Sequence, residues 1–262
     1  MNLKRTMIAL VVAGAVTASS LATAGVAQAA DLTSSFAAVQ SAVGVPVGLA
    51  IAPANGAADV VLGNDPGTVA WSTSKVPVAI AAEQQFGSAV SADVSAAITE
   101  SDNAAAQRLW DRLGSGQQAA TATQNVIRAG GDGATVVNPT VSRAGYTAFG
   151  QTQWTYANQA TFAAHLTCMA AAAPVLALMR NVASDQQWGV QSITGAAVKG
   201  GWGPTTDGRY YVRQMAVINT NAGQVGLAMG TVAATFAAGQ AVLNKVGAWV
   251  GQNIPNLTYG HC

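Results

Sequence analysis

Trp71-Ser72-Thr73-Ser74-Lys75-Val76-Pro77 is the stretch on which the reading of the fold turns. A serine hydroxyl is a weak nucleophile at neutral pH and needs a base within hydrogen-bond reach. Ser72 and Lys75 stand three positions apart, so a helix starting here carries both on one face. Its N-terminal end adds positive potential, which favours negative charge developing at Ser72. Burial and nearby cations would lower the lysine pKa until it could accept a proton. Taken alone, S-x-x-K is short and common, and an N-capping serine followed by a solvated lysine produces it equally well.

Two later segments give it weight. Ile98-Thr99-Glu100-Ser101-Asp102-Asn103-Ala104-Ala105-Ala106 supplies a second hydroxyl and an amide at the head of an Ala-rich helix. Ser101 would relay a proton, and Asn103 would orient the lysine and a substrate amide; ordinary N-capping by Ser101 or Asp102 is the plainer alternative. Lys199-Gly200-Gly201-Trp202-Gly203-Pro204 places a second lysine at the end of a short strand, where Gly201 would let a substrate backbone lie against the strand edge. The N–H groups of Trp202 and Ser72 would form an oxyanion hole; a Gly-rich turn between strands is the alternative. Beyond residue 29 the only lysines are Lys75, Lys199 and Lys245, and two of the three fall in these motifs.

In this order, the three segments resemble the serine penicillin-recognising superfamily, the class A β-lactamases and D-Ala-D-Ala peptidases. Within it they are most similar to small actinobacterial exported serine hydrolases related to class A β-lactamases. Tyr211-Val212-Arg213-Gln214 extends the likeness, which covers nearly all of the chain after residue 29. The resemblance implies Ser72 as the acylated nucleophile, Lys75 as its activator and Ser101 as proton relay. It gives Lys199 a substrate carboxylate to bind. Arg213 falls on the next strand, where the family often keeps a carboxylate-binding arginine, although a surface strand residue would read the same way.

The chain departs from that pattern in two places. Ser101 follows Ser72 by only 29 positions, a shorter span than class A enzymes use, so helices should be missing and the site more open. The family's deacylating glutamate is also absent. Glu83 and Glu100 are the only glutamates, and the long segment Gly131 to Gln153, in the place of the family's omega loop, has Asp132 as its one acid. Deacylation needs a base to activate water, so poor β-lactamase turnover is expected. Glu100 could substitute, but its place directly before the second motif suits a helix cap or a solvated residue better.

The N-terminus reads as a secretory signal peptide over residues 1–29: Lys4 and Arg5, an apolar run from Met7 to Val16, and Ala27-Gln28-Ala29 as cleavage site. A membrane anchor fits less well, because Thr17, Ser19, Ser20 and Gly25 dilute the run. Removing Lys4 and Arg5 from 12 basic residues leaves 10 against 11 acidic ones, a net charge of −1. With no basic patch or charge run, nucleic acid and anionic membrane are not expected partners. A small molecule or a cell-wall peptide is the expected substrate, in the extracellular or cell-envelope space, with no cofactor. Cys168 and Cys262 either pair in that oxidising compartment or stand as separate thiols; with His165 and His261 they give no metal-ligand spacing.

Residues 30–262 form one expected domain. Leu32, Phe36, Val39 and Val43 fall at helical spacing over Asp31 to Val43. Strands are expected at Val45–Ile51 and Asp59–Leu62, joined by the Asn55-Gly56 turn. Helices follow at Ser72–Phe86, Asp102–Leu113, Gln117–Ala129, Thr155–Ala172 and Pro174–Val182. The end returns to strands at Gly195–Lys199, Tyr210–Thr220 and Val225–Thr231, then a helix over Phe236–Val250. The class is α+β and sandwich-like: a five-stranded antiparallel sheet flanked by helices, with a reduced all-helical lobe, class A β-lactamase-like. The two functional readings are a serine acyl hydrolase and a non-catalytic descendant that binds cell-wall peptide or a protein partner.

Overall fold

The computed structural model describes residues 31–65, 67 and 69–262. The expected signal peptide lies outside these residues. Helix α1 spans 31–43, with Leu32 and Phe36 buried and Val39 and Val43 packed beside them. Strands β1 (Val47–Pro53) and β2 (Val60–Gly63) pair antiparallel, and Asn55 adopts φ 59° in the connecting turn.

A helical block follows: α2 (Lys75–Phe86), α3 (Ser91–Thr99), α4 (Asn103–Arg112), α5 (Gly116–Ala129), α6 (Tyr156–His165) and α7 (Ala173–Met179). Strands β3 (Ala196–Pro204), β4 (Tyr210–Thr220) and β5 (Gly223–Ala233) and helix α8 (Phe236–Asn253) complete the chain. The five strands form one sheet in the order β2-β1-β5-β4-β3, antiparallel throughout.

Strand alternation sorts side chains by size onto the two faces. Leu49, Ile51, Leu227 and Met229 join Phe36, Leu243, Val246 and Trp249 in the core beneath α1 and α8. Ala50, Ala52 and Ala228 face the other way, toward Tyr156, Ala160 and Ala164 of α6. Small residues there let the α6 backbone lie directly on the sheet. A Cβ on Gly226 would come within 2.1 Å of the Ala164 nitrogen. In the helical lobe α2 is the central rod: Val76, Val78, Ala79, Ile80 and Ala82 are all fully buried, as expected for a helix with apolar residues on every side.

Three elements differ from the sequence expectation. β3 does not stop at Lys199 but runs through the glycines to Pro204, so Lys199-Gly200-Gly201-Trp202 lies within a strand and not at its end. Helix α3 was not anticipated; only Val94, Ala97 and Ile98 of its nine residues are buried, and Ser91, Asp93, Ser95 and Thr99 are polar. The helix expected over Thr155–Ala172 ends at His165 and gives way to short 3-10 turns.

Cys168 and Cys262 are joined in a disulfide that fixes the C-terminal tail beside the end of α6. No single helix among the described residues is long and apolar enough to cross a membrane.

Candidate active site

Ser72 sits in a 3-10 turn, Trp71–Ser74, that leads directly into α2. The turn is closed from within. Thr73 Oγ1 donates to the Ala70 carbonyl (2.6 Å) and Ser74 Oγ to that of Trp71 (2.7 Å). Trp71 itself is held at φ 48°, a left-handed conformation that costs a bulky residue energy and recurs at functional sites. Ser101 shares the feature at φ 59°.

Gly201 on β3 packs against this turn: an added Cβ would lie 2.9 Å from the Ser72 nitrogen and 3.0 Å from both the Ala70 oxygen and the Thr73 nitrogen. β3 is an edge strand of the sheet, so one side of its backbone is left without a strand partner, and its Trp202 borders the same cleft as Ser72.

Lys75 opens α2 one turn beyond Ser72 and points across to the α3–α4 junction. Its Nζ donates to the Ser101 carbonyl, to Ser101 Oγ (3.2 Å) and to Asn103 Oδ1 (2.7 Å). Lys199 reaches the same hydroxyl from the sheet, donating to Ser101 Oγ (2.8 Å) and to the Gly200 carbonyl (3.0 Å). Two lysine amino groups therefore converge on one serine oxygen. Both lysines are buried. Burial lowers the Lys75 pKa to about 7, against a partial opposing pull from the Asp102 carboxylate. Burial and then the charge of Lys75 push that of Lys199 well down. Asp102 is held in place as the N-cap of α4, accepting from the Ala105 N–H at 2.7 Å, and its own pKa is lowered, first by that bond.

Ser72, Lys75, Ser101, Asn103 and Trp202 all border one cleft of about 440 Å³. Sequence reasoning missed the opposite wall, formed by Tyr146, Thr147, Phe149 and Gln151 of the long loop and by Gln107 of α4. The only signal for them was the length and irregularity of the segment Gly131 to Gln153. Asp132 organises that loop from below, accepting from Trp154 Nε1 (2.8 Å) and from the N–H groups of Ala134 and Thr135 (3.0 Å each). Among the described residues no acidic side chain lines the cleft. Glu100, weighed as a substitute base, is exposed and outside it.

Three expected substrate contacts are corrected. Arg213 does not reach the cleft. It is fully buried behind the Ser72 turn, donating to the carbonyls of Val69 (3.0 Å) and Trp154 (2.9 Å) and to Gln159 Oε1 (2.8 Å). Gln159 Nε2 in turn donates to Thr73 Oγ1 at 2.8 Å. Arg213 faces inward because it is paired across the ladder with Gly201, whose own missing side chain points at the same turn. Gly201 likewise packs against Ser72 and is not a wall of the cleft. Lys199, given a carboxylate to bind by the resemblance, ends beneath Ser101 and does not line the cleft either.

No protein-family model matches the chain, and no curated protein does. Solved structures do resemble it. An ancestral (GNCA) class A β-lactamase superposes with a TM-score of 0.62 at 19% identity, over 85% of this chain and 100% of that one. The β-lactamase of Sphaerobacter thermophilus DSM 20745 gives 0.62 at 20% identity, over 85% and 97%. The chromosome-encoded β-lactamase of Vibrio parahaemolyticus gives 0.59 at 14%, over 85% and 99%. The fold is that of class A β-lactamases.

Proposed function

We propose that this chain is an exported serine acyl hydrolase that forms an acyl-enzyme at Ser72 from an ester, peptide or β-lactam carbonyl. The observation that carries the reading is the convergence of Lys75 and Lys199 on Ser101 Oγ beside Ser72. A binding protein has no use for two desolvated lysines on one hydroxyl. Lys75, with its pKa near 7, supplies a neutral amine at physiological pH. It takes the Ser72 proton, directly or through Ser101, as Ser72 Oγ attacks the carbonyl carbon. The Ser72 and Trp202 N–H groups receive the oxyanion. Ser101, fed by Lys199, then passes a proton to the leaving group, and Asn103 holds Lys75 in register.

Release is the weak half of the cycle. No carboxylate among the described residues borders the cleft, so a water molecule attacking the acyl-enzyme finds no carboxylate base and β-lactamase turnover is poor. That same deficit favours a second reading, a penicillin-binding fold that has kept its cleft to bind cell-wall peptide or a protein partner. The disulfide supports export, since such bonds persist in oxidising compartments. Fluorophosphonate labelling separates the two readings. A single adduct on the wild-type protein, absent from Ser72→Ala, supports the hydrolase; a folded wild-type protein that stays unlabelled supports the binder. Rapid nitrocefin hydrolysis would refute the deacylation deficit.

A further inference from the structure

We infer that the acyl substrate of this cleft is uncharged and carries an aromatic or other flat apolar group, and that a carboxylate on the substrate weakens binding. The inference rests on the cleft being the acyl site proposed above, and it concerns which molecule enters.

Tyr146 and Trp202 present part of their rings to the cleft, and Trp71 and Phe149 are buried behind its surface. Trp71, Tyr146, Phe149 and Trp202 all border the space. They are braced: Trp71 meets Tyr146 edge-on at 5.2 Å, and Trp202 stacks on Phe236 at 4.5 Å. Rigid aromatic faces of this kind favour flat apolar groups at little entropic cost.

Positive charge, by contrast, is absent or already engaged. Among the described residues bordering the cleft, Lys75 is the one lysine or arginine, and its hydrogen bonds go to Ser101 and Asn103. Lys199 is buried beneath Ser101. Gly200 offers no side-chain donor, and a Cβ there would meet the Trp188 ring at 2.4 Å. Arg213 faces the other side of the Ser72 turn. Arg143, the nearest guanidinium on the loop, lies over the Tyr146 ring at 4.7 Å, donates to the Pro204 carbonyl, and lines a separate hollow beyond Trp71. Arg108 on α4 is paired with Asp93. The carboxylate whose charge is coupled to Lys75 is Asp102, and its field opposes an incoming anion. An anionic substrate would shed water on entering and, among the described residues, meet amide and hydroxyl groups but no cation free of other partners.

Binding to Ser72→Ala, read by intrinsic tryptophan fluorescence, tests this without requiring any chemistry. The matched ligands are N-methylphenylacetamide and phenylacetylglycine, which share the aromatic acyl group and differ in the carboxylate. The neutral amide is expected to bind at least about tenfold more tightly. Adding Tyr146→Ala should weaken its binding, placing it in the cleft. Equal or tighter binding of phenylacetylglycine, no binding of either ligand, or amide binding indifferent to Tyr146→Ala would overturn the inference. Failure of the fluorophosphonate adduct would instead remove the hydrolase reading and leave this binding preference standing or falling on its own data.

Discussion

Gly201 lies against the backbone nitrogen of Ser72, with room for a hydrogen and not for a methyl group: an added Cβ would stand 2.9 Å from that nitrogen. The contact is between two stretches of backbone, and neither can move aside as a flexible side chain would. Gly201→Ala should therefore push β3 away from the Ser72 turn and spoil the oxyanion geometry. Loss of one oxyanion donor costs on the order of 100-fold in rate. Acylation by a fluorophosphonate should slow by about that factor, while circular dichroism shows the fold retained.

Acylation should rise with pH. Lys75 is a base only when neutral, and burial sets its pKa at about 7. The labelling rate should climb through that value and level off above it. Asp102→Asn removes the carboxylate that favours the charged lysine, yet Asn caps a helix as well as Asp does. The rising limb should move to lower pH in this variant, with thermal stability little changed.

The same lysine affects folding. Its folded-state pKa is depressed below the ordinary value of 10.5, so between about pH 7 and 10.5 the unfolded chain binds the extra proton. Stability from this group should increase as pH rises across that window, because at lower pH the fold must bury a charge. Lys199, also depressed, acts in the same direction. Lys75→Met should flatten the rise in urea midpoint with pH.

Arg213 is a support for the Ser72 turn. Truncation would strip donors from the Val69 and Trp154 carbonyls and from Gln159. Arg213→Met should cost about 2–4 kcal/mol of stability, read as a lower denaturant midpoint. The discrimination between neutral and carboxylate-bearing ligands should stay unchanged, whereas loss of carboxylate binding would restore a substrate role.

The disulfide closes a loop spanning 94 positions. Replacing Cys168 and Cys262 by serine together should lower stability by up to about 4 kcal/mol, on the loop-entropy scale. Labelling at Ser72 should survive below the new melting transition, because the bridge lies away from the cleft.

Much of this was legible in the chain, for reasons visible in particular residues. Alternating strands and Gly-terminated helices announced themselves, the paired lysines were marked by their rarity, and Ser101 by its place in the second motif. Arg213 misled because a strand pattern does not say which face the pairing register assigns to a residue. Gly201 read as room for a ligand, when the room is taken by the Ser72 turn. α3 was hidden by its own composition: Ser91, Asp93, Ser95 and Thr99 dilute the helical pattern, and only tertiary packing of Val94, Ala97 and Ile98 shows what it is for. The aromatic wall from Tyr146 and Phe149 could not be foreseen, since a loop without periodicity gives no direction to its side chains.

The central claim is that Ser72 forms an acyl bond and releases it slowly. Intact-mass measurement after brief mixing with p-nitrophenyl phenylacetate tests it directly. A mass gain of one phenylacetyl group is expected, located by peptide mapping to Ser72, outlasting the burst of nitrophenol and absent from Ser72→Ala. A folded protein that gains no mass, or that carries the acyl group on another residue, would contradict the account.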